Sequence, residues 1–272
     1  MGEAKRGLAL LKEAGMKKVN FAGGEPFLYA KYLGELCQFC KTILKLESVS
    51  IVTNGTVVST AWFRTYARYV DIMAVSNDSF DEKTNKRIGR GDGHNVVRLK
   101  QIARWCKDYN ILFKMNTVVC RYNFDEDMVD AISKIAPFRW KCFQVLIQPG
   151  ENSGTVGKNG EMSKRDATPF KISDQEFELF CQKHKHVPGF VAEPNRLMAA
   201  SYLILDEYMC FLDKEKDYQS KSILKVGVQE ALAGVKWDED AFFERGGEYN
   251  WTNTNLIAGQ SGGCGAGGDL IW

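Results

Sequence analysis

Polar residues and glycines that could bind a ligand lie at the ends of short apolar runs in this sequence. The first run leads into Gly23, Gly24, Glu25 and Pro26, and the later runs end at other polar side chains. In parallel α/β proteins, ligands bind at the carboxyl ends of strands, where glycine lets them approach the backbone. The pattern predicts one binding rim, although each cluster alone is also typical of an ordinary turn. The later polar residues are Asn54, Ser76 and residues 77–79.

A second group of candidates is basic and lies on two predicted strands. Lys114 and Asn116 alternate along the apolar run ILFKMNTVV, so their side chains face the same side, and Arg139 and Lys141 have the same spacing. A lysine inside a barrel strand is costly unless an anion pairs with it. The spacing alone leaves two interpretations open, an anion site and solvated lysines at a sheet edge.

Other catalytic and metal-binding patterns do not occur in the sequence. Cys37 and Cys40 lie within the amphipathic pattern YLGELCQFCKTIL, and free cysteine is usually buried, so we interpret the pair as structural. The three histidines have no metal-ligand spacing to carboxylates or cysteines. The glycine-rich residues 89–93 lack the lysine and the spacing of a phosphate loop. We therefore expect no metal site from these residues.

The elements that must position the candidates alternate along the first half of the chain. After an opening helix, β-rich runs predict strands at 18–22, 49–53, 72–76, 112–119 and 141–147. Helical periodicity between them predicts helices at 31–45, 59–69, 94–108 and 125–135. Such alternation is typical of βα units, so the predicted fold class is α/β with a parallel sheet.

The second half of the chain breaks this pattern, and we expect the repeat to stop near residue 150. A polar loop, a helix at 174–185 and an aromatic-rich region follow, and we interpret them as a cap on the sheet. Six of the ten residues 259–268 are glycine, which predicts a flexible tail. We accordingly divide the chain into a barrel (1–150), a cap over the ligand site (151–256) and a tail (257–272).

Composition excludes several classes of protein. The 272 residues carry a formal net charge of +2, too even for nucleic-acid binding by bulk attraction. No apolar stretch approaches the roughly 20 residues that span a bilayer, and no signal peptide is visible. The eight cysteines lie mostly in apolar periodic segments, which indicates reduced thiols and a cytoplasmic protein.

Longer motifs give the chain a family resemblance. They are NFAGGEPF, SIVTNG, VSNDSFDE, IGRGDG, FKMNTVV, RWKCFQVLIQPGEN, SYLILDEYMCFL, SKSILKVGV and RGGEYNW. From about residue 3 to residue 252 it resembles the viperin-like branch of the radical S-adenosylmethionine (SAM) enzymes. The resemblance implies a partial (β/α) barrel that cleaves SAM at a [4Fe–4S] cluster. It also implies antiviral chemistry, in which a 5′-deoxyadenosyl radical takes the C4′ hydrogen of CTP to give 3′-deoxy-3′,4′-didehydro-CTP.

One family motif is missing from the 272 residues. The cluster-binding CxxxCxxC, which in relatives precedes the opening helix, does not occur. Three thiolates are needed to hold such a cluster, and one CxxC supplies two. We expect a chain that lacks the first strand and cluster loop, inactive as it stands. Two alternatives remain: a cluster-free nucleotide-binding or scaffold protein of the same fold, and a radical SAM enzyme with another nucleotide substrate.

The resemblance also implies roles for individual residues. Gly23, Gly24, Glu25 and Pro26 would hold the methionine end of SAM, while Asn54, Ser76 and Arg90 would contact its ribose and carboxylate. Tyr202 matches an active-site tyrosine and is the candidate catalytic residue. The substrate-binding candidates are Lys18, Asn20, Lys114, Asn116, Lys141 and Arg245, of which Lys18, Lys114, Lys141 and Arg245 match triphosphate-binding positions.

The end of the chain implies a protein partner. Viperin-like proteins end in a tryptophan that the cytosolic iron–sulfur assembly machinery reads, and this chain ends in Trp272. Their usual acidic neighbour is replaced by Ile271, with Asp269 two positions earlier. Some relatives also carry an upstream amphipathic helix that binds the endoplasmic reticulum or lipid droplets, and we keep this membrane location as an alternative.

Overall fold

The structure is a computed structural model that describes residues 1–148, 152–156, 162–163, 165–198, 201–213 and 218–244. Its first half alternates helices and strands. The elements are α1 (Gly2–Glu13), β1 (Lys18–Phe21), a 3₁₀ turn (Pro26–Tyr29), α2 (Ala30–Thr42), β2 (Ser48–Thr53), α3 (Thr60–Tyr66), β3 (Ile72–Ser76), α4 (Glu82–Ile88), α5 (Asn95–Asp108), β4 (Leu112–Val119), α6 (Val129–Ile135) and β5 (Arg139–Gln144).

The second half adds one more long helix, a strand and several short elements. These are α7 (Asp174–His184), β6 (Phe190–Glu193), α8 (Asn195–Met198), β7 (Ile204–Leu205), β8 (Phe211–Asp213), β9 (Tyr218–Gln219), α9 (Ile223–Val226), α10 (Val228–Leu232) and α11 (Glu239–Glu244). Strands β7, β8 and β9 form a small antiparallel sheet.

The main sheet contains six parallel strands that lie side by side in chain order, β1 to β6. Each strand pairs with the one before it, and a helix or loop returns the chain between them. This arrangement is that of an open, partial (β/α) barrel. The predicted α/β class and partial barrel are therefore confirmed.

One prediction about the sheet was wrong. We expected five strands and an end of the repeat near residue 150, but β6 extends the sheet with a sixth parallel strand beside β5. Helix α7 lies between these two strands and begins with a capping box formed by Ser173 and Glu176. The strand escaped prediction because it has only four residues and stands between Gly189 and Pro194. The division of the chain at residues 150 and 256 stays a prediction.

The two faces of the main sheet differ in chemistry. Side chains on one face pack beneath the helices, and Trp140, Phe63 and Phe180 are the largest of the buried core residues. Removing one such aromatic side chain costs about 3–5 kcal/mol. The other face carries polar side chains, because strand residues alternate between faces. We call this second face the inner face.

Contacts also join the beginning of the chain to its second half. Helix α1 packs on α9, where the Arg6 guanidinium donates to the carbonyl of Leu224 (3.2 Å). The ammonium of Lys18, on β1, lies 4.9 Å from the ring centre of Phe242, on α11. The region after β6 therefore reaches back to the first strand.

No helix in the described part of the chain is long and apolar enough to cross a membrane.

Candidate functional site

The turn after β1 forms an open rim. Gly23 and Gly24 have positive φ angles of 83° and 52°, which glycine adopts without a steric penalty. Both residues are exposed, and a Cβ atom added to either would meet no atom within 4 Å. The two glycines thus leave free space above the backbone, where a ligand could approach their amide and carbonyl groups.

Glu25 joins the ends of the first two strands. One carboxylate oxygen accepts hydrogen bonds from the amide of Phe27 (3.0 Å) and the hydroxyl of Thr53 (2.7 Å). The other oxygen accepts from the amide of Asn54 (2.7 Å). Three donors from the chain therefore hold this carboxylate at the rim, and they fix the Gly23–Gly24 turn relative to β2.

Asn54 shapes the rim at the end of β2. Its side-chain oxygen accepts from the amide (2.9 Å) and the hydroxyl (2.6 Å) of Thr56, so the residue closes an Asx turn. The half-buried side chain adjoins the Glu25 network, since the same residue donates its backbone amide there.

The loop after β3 is held by buried polar groups. Asn77, Asp78 and Ser79 are almost completely buried. The side-chain amide of Asn85 bonds to the backbone N–H and carbonyl of Ser79, and that of Asn123 donates to the carbonyl of Asp78. Such a fully bonded network fixes one loop conformation. The sequence pattern predicted that these residues are polar groups at a strand end. Their partners, which come from α4 and the β4–α6 connection, were not predicted.

Arg90 reaches this loop from the segment after α4. Its Nε donates to Oδ2 of Asp78 (2.6 Å) and its Nη2 to Oδ1 (3.3 Å), and the same Oδ1 accepts from the amide of Val118 (2.9 Å). The Arg90 side chain stays 26% exposed, while that of Asp78 is 2% exposed. The pair thus places a cation near the carboxyl end of β3.

Three predicted site residues form a row across neighbouring strands. Ser76 on β3 pairs in register with Asn116 on β4, which pairs with Lys141 on β5. Residues paired in register on parallel strands point to the same face, here the inner one. Atom Oδ1 of Asn116 is buried and finds no hydrogen-bond donor among the described residues. Because a buried acceptor without a donor is costly, this atom is a candidate to accept a hydrogen bond from a ligand.

Lys141 belongs to a buried cluster with Tyr202 and Glu193. Its ammonium forms an ion pair with Oε1 of Glu193, at the end of β6, and lies 3.2 Å from the hydroxyl of Tyr202. The same hydroxyl donates to Oε2 of Glu193. The side chains of Lys141 and Glu193 are 5% and 0% exposed. The structure thus brings the predicted anion-binding lysine and the predicted catalytic tyrosine together.

Glu193 is the residue of this cluster that sequence analysis missed. The run FVAEP ends a strand with a glutamate and a proline, as NFAGGEP does after β1. That shared Glu–Pro ending was the available signal.

The remaining substrate candidates lie along the inner face. Lys18 begins β1, and Asn20 accepts a hydrogen bond from the hydroxyl of Ser50 (2.9 Å). Lys114 is half-buried and pairs in register with Ala74 and Arg139. Arg245 and Trp272 lie outside the described residues.

The described cysteines are suited to the core and not to a metal. All seven are free and buried, and burial raises the pKa of the Cys40 thiol to about 12 and that of Cys120 to about 11. Cys37 and Cys40 pack in the core beneath α2, as the helical pattern predicts. In the described part of the chain no group of three His, Cys, Asp or Glu side chains is arranged to hold a metal ion.

Comparison with known proteins gives consistent results. A family model described as the Radical SAM superfamily matches residues 1–135. The S-adenosylmethionine-dependent nucleotide dehydratase RSAD2 of Siniperca chuatsi is 50% identical over 261 residues, which cover 93% of this chain and 72% of the relative. The protein of the same name from Danio rerio is 48% identical over 260 residues, 93% of this chain and 71% of the relative.

Solved structures share the fold. The structure titled native anSMEcpe with bound AdoMet and Kp18Cys peptide matches with a TM-score of 0.62 over 85% of this chain and 72% of that one. The identity is 14%, so this match bears on architecture alone.

Proposed function

The chain belongs to the radical SAM superfamily, in the branch of the SAM-dependent nucleotide dehydratases, and on this premise we propose that its substrate is CTP. A dehydratase is a lyase, and here it would remove the elements of water, the C4′ hydrogen and the 3′ hydroxyl, from the ribose. The product would be 3′-deoxy-3′,4′-didehydro-CTP, which terminates nucleic-acid chains because it has no 3′ hydroxyl to extend.

The unpaired acceptor on Asn116 carries this proposal. It stands on the inner face beside Lys141, so a ribose hydroxyl on Asn116 would leave the triphosphate within reach of the lysines. Lys114 lies two residues before Asn116 on the same face of β4, and Lys18 lies on β1. Charge-assisted hydrogen bonds from such cations are the strong contacts of a triphosphate site. We assign Arg245 to the same group on the resemblance alone.

SAM fits the rim beside this pocket. The free space above Gly23 and Gly24 accepts its methionine end, where backbone carbonyls would bind the ammonium and Glu25 would keep the turn in place. Pro26 starts the 3₁₀ turn that ends the loop. Asn54 and Ser76 would meet the ribose and Arg90 the carboxylate. When bound, SAM supplies the adenosyl group from which the radical chemistry of this superfamily starts.

The [4Fe–4S] cluster that this superfamily uses does not fit the described residues. Its three cysteine ligands would have to lie together at the rim, whereas the described cysteines are dispersed in the core. We therefore derive no step through the cluster. The chain's own residues bind the nucleotide, orient its ribose toward SAM and, through Tyr202, place a hydroxyl beside the reacting sugar.

Nucleotide titration tests the substrate. Calorimetry of the 272-residue chain with CTP, UTP and cytidine should show the tightest binding for CTP. Hydrogen bonds to charged groups contribute about 1.5–3 kcal/mol, so Lys114→Ala and Lys141→Ala should each weaken CTP binding about tenfold or more and leave cytidine binding unchanged. Lys100→Ala, at an exposed position of α5, is the matched control.

Two results would contradict the proposal. Equal losses for CTP and cytidine would mean that the lysine variants act through folding. Tighter binding of UTP or of a purine nucleotide than of CTP would assign another substrate to the same fold.

A partner for the chain's end is also part of this proposal. We assign Trp272 to recognition by the cytosolic iron–sulfur assembly machinery, which would place the protein in the cytosol. Deleting Trp272 from the protein joined to a cluster-binding segment of an RSAD2 relative should lower its iron content in cells. Activity after chemical reconstitution should not change. Equal iron loading with and without Trp272 would remove this role.

A further inference from the structure

Glu193 is the one carboxylate among the inward-facing strand residues that the structure describes. The register runs from Lys18 on β1 to Glu193 on β6, and the other charged side chains on this face are basic. They are Lys18, Lys114, Arg139 and Lys141. A site built to bind a triphosphate therefore contains a single buried negative charge of its own.

The position of that charge is specific. Glu193 contacts Lys141, the most deeply buried of the lysines assigned to the triphosphate, and uses its second oxygen to accept from Tyr202. A buried ammonium without an anion is costly, so the ion pair with Glu193 holds the Lys141 side chain in place in the protein without nucleotide. A phosphate oxygen that reaches Lys141 must share its ammonium with this carboxylate.

We propose that Glu193 occupies the place of a phosphate oxygen in the nucleotide-free site and thereby sets the affinity for the triphosphate. This inference rests on the proposed nucleotide site and assigns a further specificity-determining residue to it. The carboxylate stabilises the empty pocket and competes with the bound triphosphate. A nucleotide held only by cations would dissociate slowly, and the competing carboxylate lowers the cost of its release.

The inference predicts that removal of the Glu193 charge tightens ligand binding, whereas removal of a merely structural charge would weaken it. Glu193→Gln keeps the size of the side chain and one acceptor oxygen but removes the charge. The unfolding temperature of the nucleotide-free protein should fall, because Lys141 loses its counter-charge. The affinity for CTP and for inorganic triphosphate should rise by about tenfold or more, since the ligand then no longer shares the ammonium of Lys141 with the Glu193 carboxylate. A merely structural carboxylate would lower both.

A second lysine–carboxylate pair, with a buried aspartate and a half-buried lysine, provides the control. Lys41 on α2 pairs with Asp71 (2.9 Å) before β3, at the amino end of the sheet and away from the inner face. Asp71→Asn should also lower the unfolding temperature, but it should leave the affinity for either ligand unchanged.

Calorimetry and thermal unfolding of the 272-residue chain, each with CTP and with inorganic triphosphate, test the inference. Tighter binding of inorganic triphosphate to Glu193→Gln supports the inference. If CTP then binds no better than other nucleotides, only the proposal that CTP is the substrate is contradicted. Unchanged or weaker binding of both ligands overturns the inference. Absence of binding by wild type and variant alike overturns the nucleotide site as well.

Thermal unfolding covers a variant that is too unstable for titration. In that case saturating inorganic triphosphate should raise its unfolding temperature more than it raises that of the wild type. Circular dichroism should then show recovery of folded protein. An equal or smaller gain than in the wild type overturns the inference.

Discussion

Asp78 holds Arg90 by two hydrogen bonds, one from Nε (2.6 Å) and one from Nη2 (3.3 Å), at the carboxyl end of β3. The carboxylate is buried within a bonded loop while the guanidinium remains partly exposed. A rigid anion therefore directs a cation whose outer edge stays accessible. Under the proposed assignment of Arg90 to the SAM carboxylate, Asp78 would be its positioning residue.

Replacing Asp78 should weaken SAM binding through Arg90. Asp78→Asn keeps the shape but removes the charge that orients the guanidinium, and a hydrogen bond to a charged group is worth about 1.5–3 kcal/mol. We expect SAM affinity to fall about tenfold by calorimetry, with CTP affinity unchanged. The control is Asp92→Asn, because Asp92 pairs with Arg98 through two 2.9 Å bonds at an exposed position of the segment after α4 that also carries Arg90. Equal losses of SAM affinity in both variants would contradict the role of Asp78.

A methyl group at Gly24 should occupy the space assigned to SAM. Gly24→Ala meets no neighbouring atom, so its cost is the left-handed backbone conformation, about 1–2 kcal/mol. We expect a small drop in unfolding temperature and a loss of SAM binding of about tenfold or more, with CTP affinity retained. Calorimetry with both ligands measures this. Unchanged SAM affinity would place the methionine end elsewhere.

His184 should make stability depend on pH. It is fully buried, its Nε2 accepts from the amide of Met128 (3.0 Å), and its Nδ1 contacts the carbonyl of Phe180 (2.8 Å). Burial lowers its pKa from the ordinary value of 6.5. A depressed pKa means that the unfolded state takes up the proton first, so this stability is full above pH 6.5 and is lost as the pH falls below it.

Thermal unfolding between pH 8 and pH 5 checks this expectation. The unfolding temperature of the wild type should decrease more steeply below pH 6.5 than that of His184→Gln, although the variant is less stable at every pH. His186→Gln, at an exposed position two residues away, should keep the wild-type slope. Parallel slopes in wild type and His184→Gln would mean that another group titrates.

The buried thiols should neither react nor hold iron. At pH 8 a thiol whose pKa is about 12, such as that of Cys40 or Cys181, is thiolate in roughly one molecule in ten thousand. We expect native protein to resist iodoacetamide at these two cysteines, as measured by mass spectrometry, and unfolded protein to react fully. Anaerobic reconstitution of residues 1–272 should yield no [4Fe–4S] cluster. About four irons per chain, with SAM cleavage, would show that the chain supplies the ligands by an arrangement not described above.

Residues with a local pattern were predictable from the sequence. The alternation of polar and apolar residues around Lys114 and Asn116 predicts strand β4, and the helical spacing of apolar residues predicts α5. Helix α4 was not predicted, because its seven residues are mostly polar. Its start is fixed by Asp81, whose side chain accepts hydrogen bonds from the backbone amides of Lys83 and Thr84. Local chemistry makes such a helix, but hydrophobic periodicity does not reveal it.

The partners within the candidate site were less predictable. Lys141 and Tyr202 could be named, but the Glu193 between them depends on β6 lying beside β5, which no spacing in the sequence gives. Likewise the carboxylate of Glu25 could be placed at the rim, whereas its use as a link to β2 appears only when Thr53 and Asn54 are brought to it. Apart from the Tyr202–Glu193 bond, which spans nine residues, the contacts that decide these roles join residues at least 28 positions apart.

The contact between the two parts of the chain has a consequence for biosynthesis. Arg6 and Leu224 are 218 positions apart, and the contact of Lys18 with Phe242 spans a similar separation. The strands can pair one after another as they leave the ribosome, because each lies beside its predecessor. Helix α1 and strand β1, however, acquire these partners only after Leu224 and Phe242 have been synthesised. Until then α1 and β1 lack these contacts, and the surfaces that make them are accessible to chaperones.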